Sequence, residues 1–93
     1  MAEPVIVACP EDKWTKVAAG VTAGVVRIVK GYQDSENCYQ TYRLAAGGGP
    51  APVDGVIGDG VPMAAQEMPI ASTDLIDVYI MPTQKAIEVR VDL

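Results

Sequence analysis

An all-β fold, a small antiparallel sandwich or barrel with a C-terminal hairpin and a long Gly/Pro-rich central loop, follows from three observations. The first is the kind of apolar residue present: 13 Val and 7 Ile against 3 Leu. Side chains branched at Cβ lose rotamer freedom in a helix and pack well on a pleated surface, so this ratio favours strands. The second is punctuation, nine Gly and seven Pro in 93 residues, too frequent for long helices. The third is period-two alternation near the C-terminus, where Ile87, Val89, Val91 and Leu93 interleave with Glu88, Arg90 and Asp92. One buried and one wet face is the strand signature.

The elements then read in order. Val5 to Cys9 is a first strand ended by Pro10, and Glu11-Asp12 supplies a turn. In Trp14 to Val17 the pair Trp14 and Lys16 faces away from Thr15 and Val17. Gly20 and Gly24 punctuate the chain before a third run, Val25 to Lys30, with Val26 and Ile28 on one face and Val25, Arg27 and Val29 on the other. The same glycines and the Val content argue against a helix from Lys16 to Val29, despite its alanines. Gly31 to Asn37 reads as a polar turn and Cys38 to Arg43 as a fourth strand, with Tyr39 and Tyr42 on opposite sides. Ile76, Val78 and Ile80 alternate with Asp77, Tyr79 and Met81, and Pro82-Thr83-Gln84-Lys85 then has the composition of a hairpin loop, so this strand is expected to pair with the last one.

Between Leu44 and Ser72 the composition changes. Six Gly, four Pro, no Lys or Arg and only short apolar pieces (Val53, Val56-Ile57, Val61, Met63, Met68-Pro69-Ile70) make this a long excursion within a single domain spanning residues 1–93. It is expected either to lie over a neighbouring molecule as an arm or to be a meander with one or two edge strands. Charge divides at about the same place. Residues 1–46 carry five bases and five acids and residues 47–93 two bases and seven acids, so the net −5 resides in the second half. That acidity keeps a small apolar protein soluble and also suits a basic partner surface.

Several classes of chemistry lose their ingredients at once. There is no histidine, so histidine-based acid–base catalysis, histidine triads and imidazole metal sites cannot be assembled from this chain. Seven Lys and Arg against twelve Asp and Glu provide no basic stripe for a nucleic-acid backbone. The weakly polar stretch from Val17 to Val26 lies between Lys16 and Arg27, far short of the roughly 20 residues of a membrane span, and Met1-Ala2-Glu3-Pro4 lacks the basic start of an export signal. The expectation is a protein that stays in the cytoplasm where it is made or leaves it within a particle.

The remaining candidates have ordinary structural readings beside them. Cys9 and Cys38 sit in strand-like contexts and read as small buried hydrophobes, with a disulfide as the alternative and no CxxC to suggest a metal. Gly47-Gly48-Gly49 and Gly55 to Gly60 lead into Pro50 or Val61-Pro62, without the helix and Lys that a phosphate loop requires. Asp54 and Asp59 match no calcium-loop spacing and read as turn formers. Trp14 with four Tyr is thin for a sugar-stacking platform and better suited to filling a core or edge. No cofactor is expected.

The order of short β segments nevertheless carries a resemblance. Trp14-Thr15-Lys16-Val17-Ala18, Gln40-Thr41-Tyr42-Arg43 running into a Gly/Pro loop, Ile76-Asp77-Val78-Tyr79-Ile80 and Val89-Arg90-Val91-Asp92-Leu93 together resemble small structural proteins of tailed bacteriophages. The resemblance spans most of the chain at low density and includes no catalytic signature. It implies a non-enzymatic β domain built into the virion as a capsid decoration (cement) protein, binding the major capsid protein or another virion protein as a homo-oligomer. A head-spike or tail-associated role and a carbohydrate- or receptor-binding module are the alternatives. On this reading Val61, Met63, Met68 and Ile70, with Ala2, Glu3 and Pro4, are the first candidates for partner contacts.

Overall fold

Gly20 and Gly24, expected to separate two strands, lie inside one. In the computed structural model, which describes residues 4–31, 38–63 and 65–93, the chain forms β1 (Val5–Cys9), β2 (Thr15–Lys30), β3 (Cys38–Leu44), β4 (Val61–Pro62), β5 (Glu67–Pro82) and β6 (Ile87–Asp92). β2 and β5 are 16 residues each and pair antiparallel from Thr15↔Ile80 to Arg27↔Glu67. Gly20, at φ +61°, occupies a backbone region that side-chain-bearing residues avoid, so the strand turns there without ending. Its N–H donates to Asp77 Oδ1 at 2.9 Å, which holds the turn against β5. The turn between β1 and β2 forms at Glu11-Asp12 as expected, with Asp12 at φ +59°.

All six strands belong to one antiparallel sheet in the order β1-β6-β2-β5-β3-β4. The all-β expectation is met, but the sheet closes into neither a barrel nor two separate layers. Instead it curls. The β2–β5 ladder shifts register between Lys16 and Ala18, between Ala18 and Val21, and between Val21 and Ala23. Such bulges bend and twist a strand. Val17 and Ala18, consecutive residues that are both buried, show the first of them directly. On β5 the matching irregularity falls at Ser72–Leu75, where Ser72 Oγ accepts from the Asp74 N–H at 3.2 Å.

Curling brings the two ends of the sheet to one core. Cys9 on β1 and Cys38 on β3 stand four strands apart, about 19 Å in a flat sheet, yet they share a buried cluster with Val26, Ile28, Val78, Ile80, Val89 and Val91. Both cysteines are free thiols. Burial pushes Cys9 up to about 11, and burial with Cys9 nearby pushes Cys38 up to about 12, so both stay protonated and unreactive at neutral pH. The small-hydrophobe reading therefore holds, and Cys38 Sγ lies 3.5 Å from Met63 Sδ.

The expected C-terminal hairpin does not form. Over residues 76–80 β5 has β2 on one side and β3 on the other, leaving no edge there for β6. β6 instead lies between β1 and the second half of β2, pairing Val91 with both Val5 and Val26. The connection after Pro82 is thus an arch between the two halves of the curled sheet. Within β6 the alternation is as expected for Ile87, Val89 and Val91, all buried, whereas Leu93 is exposed. The central excursion also resolves in part: β4 is a two-residue edge strand and Met68-Pro69-Ile70 belongs to β5.

Val89 is fully buried, and Val89→Ala is expected to cost about 2 kcal/mol from lost burial and the cavity left behind. Deleting Val91-Asp92-Leu93 removes the pairs of Val91 with Val5 and Val26 and of Asp92 with Val25 and should abolish the cooperative thermal transition followed by circular dichroism, whereas Leu93→Ala should leave it nearly unchanged.

Candidate interaction surface

The outer face of β5 is buried as well, and this positions the most distinctive surface of the molecule. Tyr79 and Met81 point away from the main core, yet they form a second cluster with Trp14, against which Tyr39 packs. Lys16 stands beside Tyr79 in the ladder, its ammonium 5.7 Å from the ring centroid and 3.6 Å from Asp77. What covers this face is the segment from Pro50 to Gly60, joined to it through Trp14. The Trp14 backbone N–H donates to Asp54 Oδ1 at 2.8 Å, and its indole N–H donates to the Val56 carbonyl at 2.9 Å. A Cβ on Gly60 would stand 2.8 Å from the Trp14 ring, so the loop lies flat on the indole only because that residue is glycine.

A second anchor comes from β3. Arg43 projects from the same outer face as Thr41 and Tyr39 and donates from Nη1 and Nη2 to the two carboxylate oxygens of Asp59 at 2.9 and 3.3 Å. Its Nε donates to the Pro50 carbonyl at 3.0 Å. The forked geometry makes this a better-defined contact than most surface ion pairs. Hydrogen bonding from Arg43 is the main cause that holds the Asp59 carboxyl below its ordinary value.

Between the anchors the loop makes two tight turns. The Val56 N–H donates to the Val53 carbonyl at 3.2 Å around Asp54-Gly55, and the Gly60 N–H donates to the Ile57 carbonyl at 2.8 Å around Gly58-Asp59. Positive φ at Gly55 and Gly58 corresponds to type II and type II′ turns. The result is a set of apolar side chains held outward on a fixed mount, with Val53 67%, Val56 53% and Ile57 41% exposed. Pro50, Ala51 and Pro52 line the same surface hollow, bounded by Arg43 and Asp59.

The residues expected to make contacts distribute differently. Met63 and Ile70 are buried in the main core, at 2% and 6% exposure, because Met63 extends the β3–β4 ladder through its N–H to the Cys38 carbonyl and Ile70 pairs with Gly24 on β2. Neither offers surface to a partner. Met68 is half-buried against the core, beside Gln40 and Tyr42 in a shallow groove. Val61 and Pro4 are exposed, and Ala2 and Glu3 lie outside the described residues. Val53, Val56 and Ile57, which sequence reasoning places among the apolar pieces of the excursion but not among the first candidates for partner contacts, are the exposed apolar surface here. The signal for them is the pair of Asp/Gly turns, Asp54-Gly55 and Gly58-Asp59-Gly60, which set flanking apolar residues at loop tips.

Asp54 and Asp59 are engaged by Trp14 and Arg43, and no group of three or more Cys, Asp or Glu side chains among the described residues is placed to hold a metal ion. Trp14 is buried under the loop, so its ring offers no open stacking face for a sugar, whereas Tyr42 is exposed. No helix of the described residues is long and apolar enough to cross a membrane. Comparison of the chain with models of protein families, with curated proteins and with solved structures returned no match.

Two measurements check the mount. Trp14→Ala removes the indole platform and its bond to Val56, and should raise amide hydrogen exchange across residues 53–60 at least tenfold while leaving β6 protected. Titration should show the sign expected of a lowered carboxyl. The Arg43–Asp59 contribution is complete above the ordinary aspartate value of about 3.9 and is lost only as pH falls through the lower value of the folded chain. The amide resonances of residues 57–60 should therefore move below that pH, and Arg43→Gln should raise the Asp59 midpoint toward the ordinary value.

Proposed function

We propose that this chain is a non-enzymatic structural protein of a tailed-phage virion, most simply a decoration protein that binds the assembled capsid lattice and stabilises it. The observation that carries a binding role is the loop mounted on Trp14 and Arg43, which presents Val53, Val56 and Ile57 to solvent. Exposed apolar side chains in an ordered, doubly anchored loop suit a surface that is buried on assembly. Little ordering entropy is left to lose when the partner arrives. The virion context rests on the resemblance of the segments around Trp14, Tyr42, Val78 and Val91 to small tailed-phage structural proteins.

The mechanism on this reading is linkage. A ligand that binds the assembled lattice better than free subunits shifts the equilibrium toward the lattice, by an amount set by its affinity difference. Many symmetric copies turn individually modest contacts into a large collective effect. The loop itself carries no Lys or Arg, and its two carboxylates, Asp54 and Asp59, are both exposed, that of Asp59 partly offset by Arg43. A complementary lattice site is therefore apolar at its centre and tolerant of two acidic groups at its rim.

Quantitative mass spectrometry of purified particles from the source, measured against the major capsid protein, tests this reading. A copy number comparable with that of the capsid protein is the expected result. A much lower number places the chain at a vertex, spike or tail, and absence from clean particles overturns the virion assignment. Val56→Asp with Ile57→Asp should reduce particle occupancy at least tenfold without changing the melting temperature of the free chain, because both side chains are solvent-facing in it.

A further inference from the structure

The free edges of this sheet are not equivalent. β4 is two residues long and ends in Pro62. The first half of β2, where β6 does not reach, is broken by bulges and carries Lys16. The first half of β5, where β3 does not reach, carries Glu67 and Pro69. Short length, bulges, charge and proline are the usual means of blunting an edge. β1 is short, at five residues, but carries no bulge, no charge and no proline within the strand. Val5, Ile6, Val7, Ala8 and Cys9 pair without register shift to β6 on one side, and among the described residues nothing pairs with the other. Val5 and Ile6 are 56% and 55% exposed, one on each face, and Pro4 and Pro10 bound the run.

We propose that a second copy of this chain occupies that edge, β1 pairing antiparallel with β1 of its partner about a twofold axis at Val7. Twofold symmetry requires a strand that is complementary to itself, and an uncharged run bounded by a proline at each end meets this. Charge then selects the register. On the outer face Ile6 stands beside Arg90, and Ala8 beside Glu88. Centring on Val7 sets Ile6 opposite the partner's Ala8, so each cross-strand row runs from Arg90 through Ile6 and Ala8 to Glu88 of the partner subunit. The row ends with opposite charges about 14 Å apart between backbones, much of which the long side chains reach across.

Sliding the pair by one residue at the axis costs this match. Centring on Ile6 places two Arg90 residues in one row, and centring on Ala8 places two Glu88 residues in one row, both like-charge arrangements. In the single chain Arg90 pairs with Asp92 at 3.2 Å and Lys30 with Glu88 at 3.6 Å, on exposed side chains, and such pairs hold weakly. A five-residue ladder is at the small end of specific interfaces, so the dimer is concentration-dependent.

Sedimentation equilibrium over a range of concentrations tests the proposal. The wild-type chain should move toward twice its 9.8 kDa mass as concentration rises. Ile6→Lys, and independently Ala8→Lys, should lower association at least tenfold with unchanged circular dichroism, since both positions are exposed. Arg90→Glu should weaken association and the exchange Glu88→Arg with Arg90→Glu should restore it. Oxidised Val7→Cys should form a covalent dimer through the introduced thiol alone, because residues facing each other across the axis lie within disulfide reach. A wild-type chain that stays at 9.8 kDa throughout, or a dimer that both lysine variants leave intact, overturns the proposal.

Discussion

The pairing of two 16-residue strands, β2 and β5, is the constraint on which everything else depends. Paired along most of their length and bent at the same level, they divide one sheet into two halves that face a common core. The bend needs bulges on both strands and a residue at Gly20 that tolerates positive φ. From that corner the remaining strands have little choice. β3 takes the edge of β5 in one half, β6 the edge of β2 in the other, and β1 and β4 complete the ends. A domain this small has limited apolar surface to bury, and folding one sheet over itself lets Cys9 and Cys38, from opposite parts of it, serve the same interior.

The same arrangement gives the protein a second buried surface. Because β5 is central, its outward residues Tyr79 and Met81 also need cover, and Trp14 with the Pro50–Gly60 segment supplies it. The central loop is therefore a structural lid before it is anything else. Asp54 and Asp59 bond to Trp14 and Arg43, and its tight turns leave Val53, Val56 and Ile57 exposed to solvent. An ordered loop with apolar tips is the feature that the proposed lattice-binding role uses, and the apolar β1 edge is a separate opportunity on the opposite side of the sheet order.

Acidic character fits both surfaces without defining either. The net −5 keeps a chain with exposed valines from associating indiscriminately. Where charges do pair, they tie the fold locally, as with Lys16 and Asp77 at the bend or Arg43 and Asp59 at the loop. Cys9 and Cys38, raised by burial, add apolar volume and no reactivity.

Local physics alone was enough to read the strands themselves. Branched side chains and period-two alternation marked Val5–Cys9, Val26 and Ile28 inward, the run around Val78, and the last strand, because these signals depend only on which face each residue presents. The opposite placements of Tyr39 and Tyr42 followed for the same reason. Strand partners were not readable in this way. Pro82 to Lys85 has hairpin composition, but a hairpin needs an empty edge, and β2 and β3 already occupy both edges of β5 there. Gly20 and Gly24 look like breaks until a long neighbour pairs through them. Likewise the exposure of Val56 and the burial of Met63 are decided by where the chain on either side is held, by Trp14 and Arg43 in one case and by Cys38 in the other. Pattern determines the faces of each strand, and only competition among all strands for the available edges determines which of those faces the finished molecule leaves open.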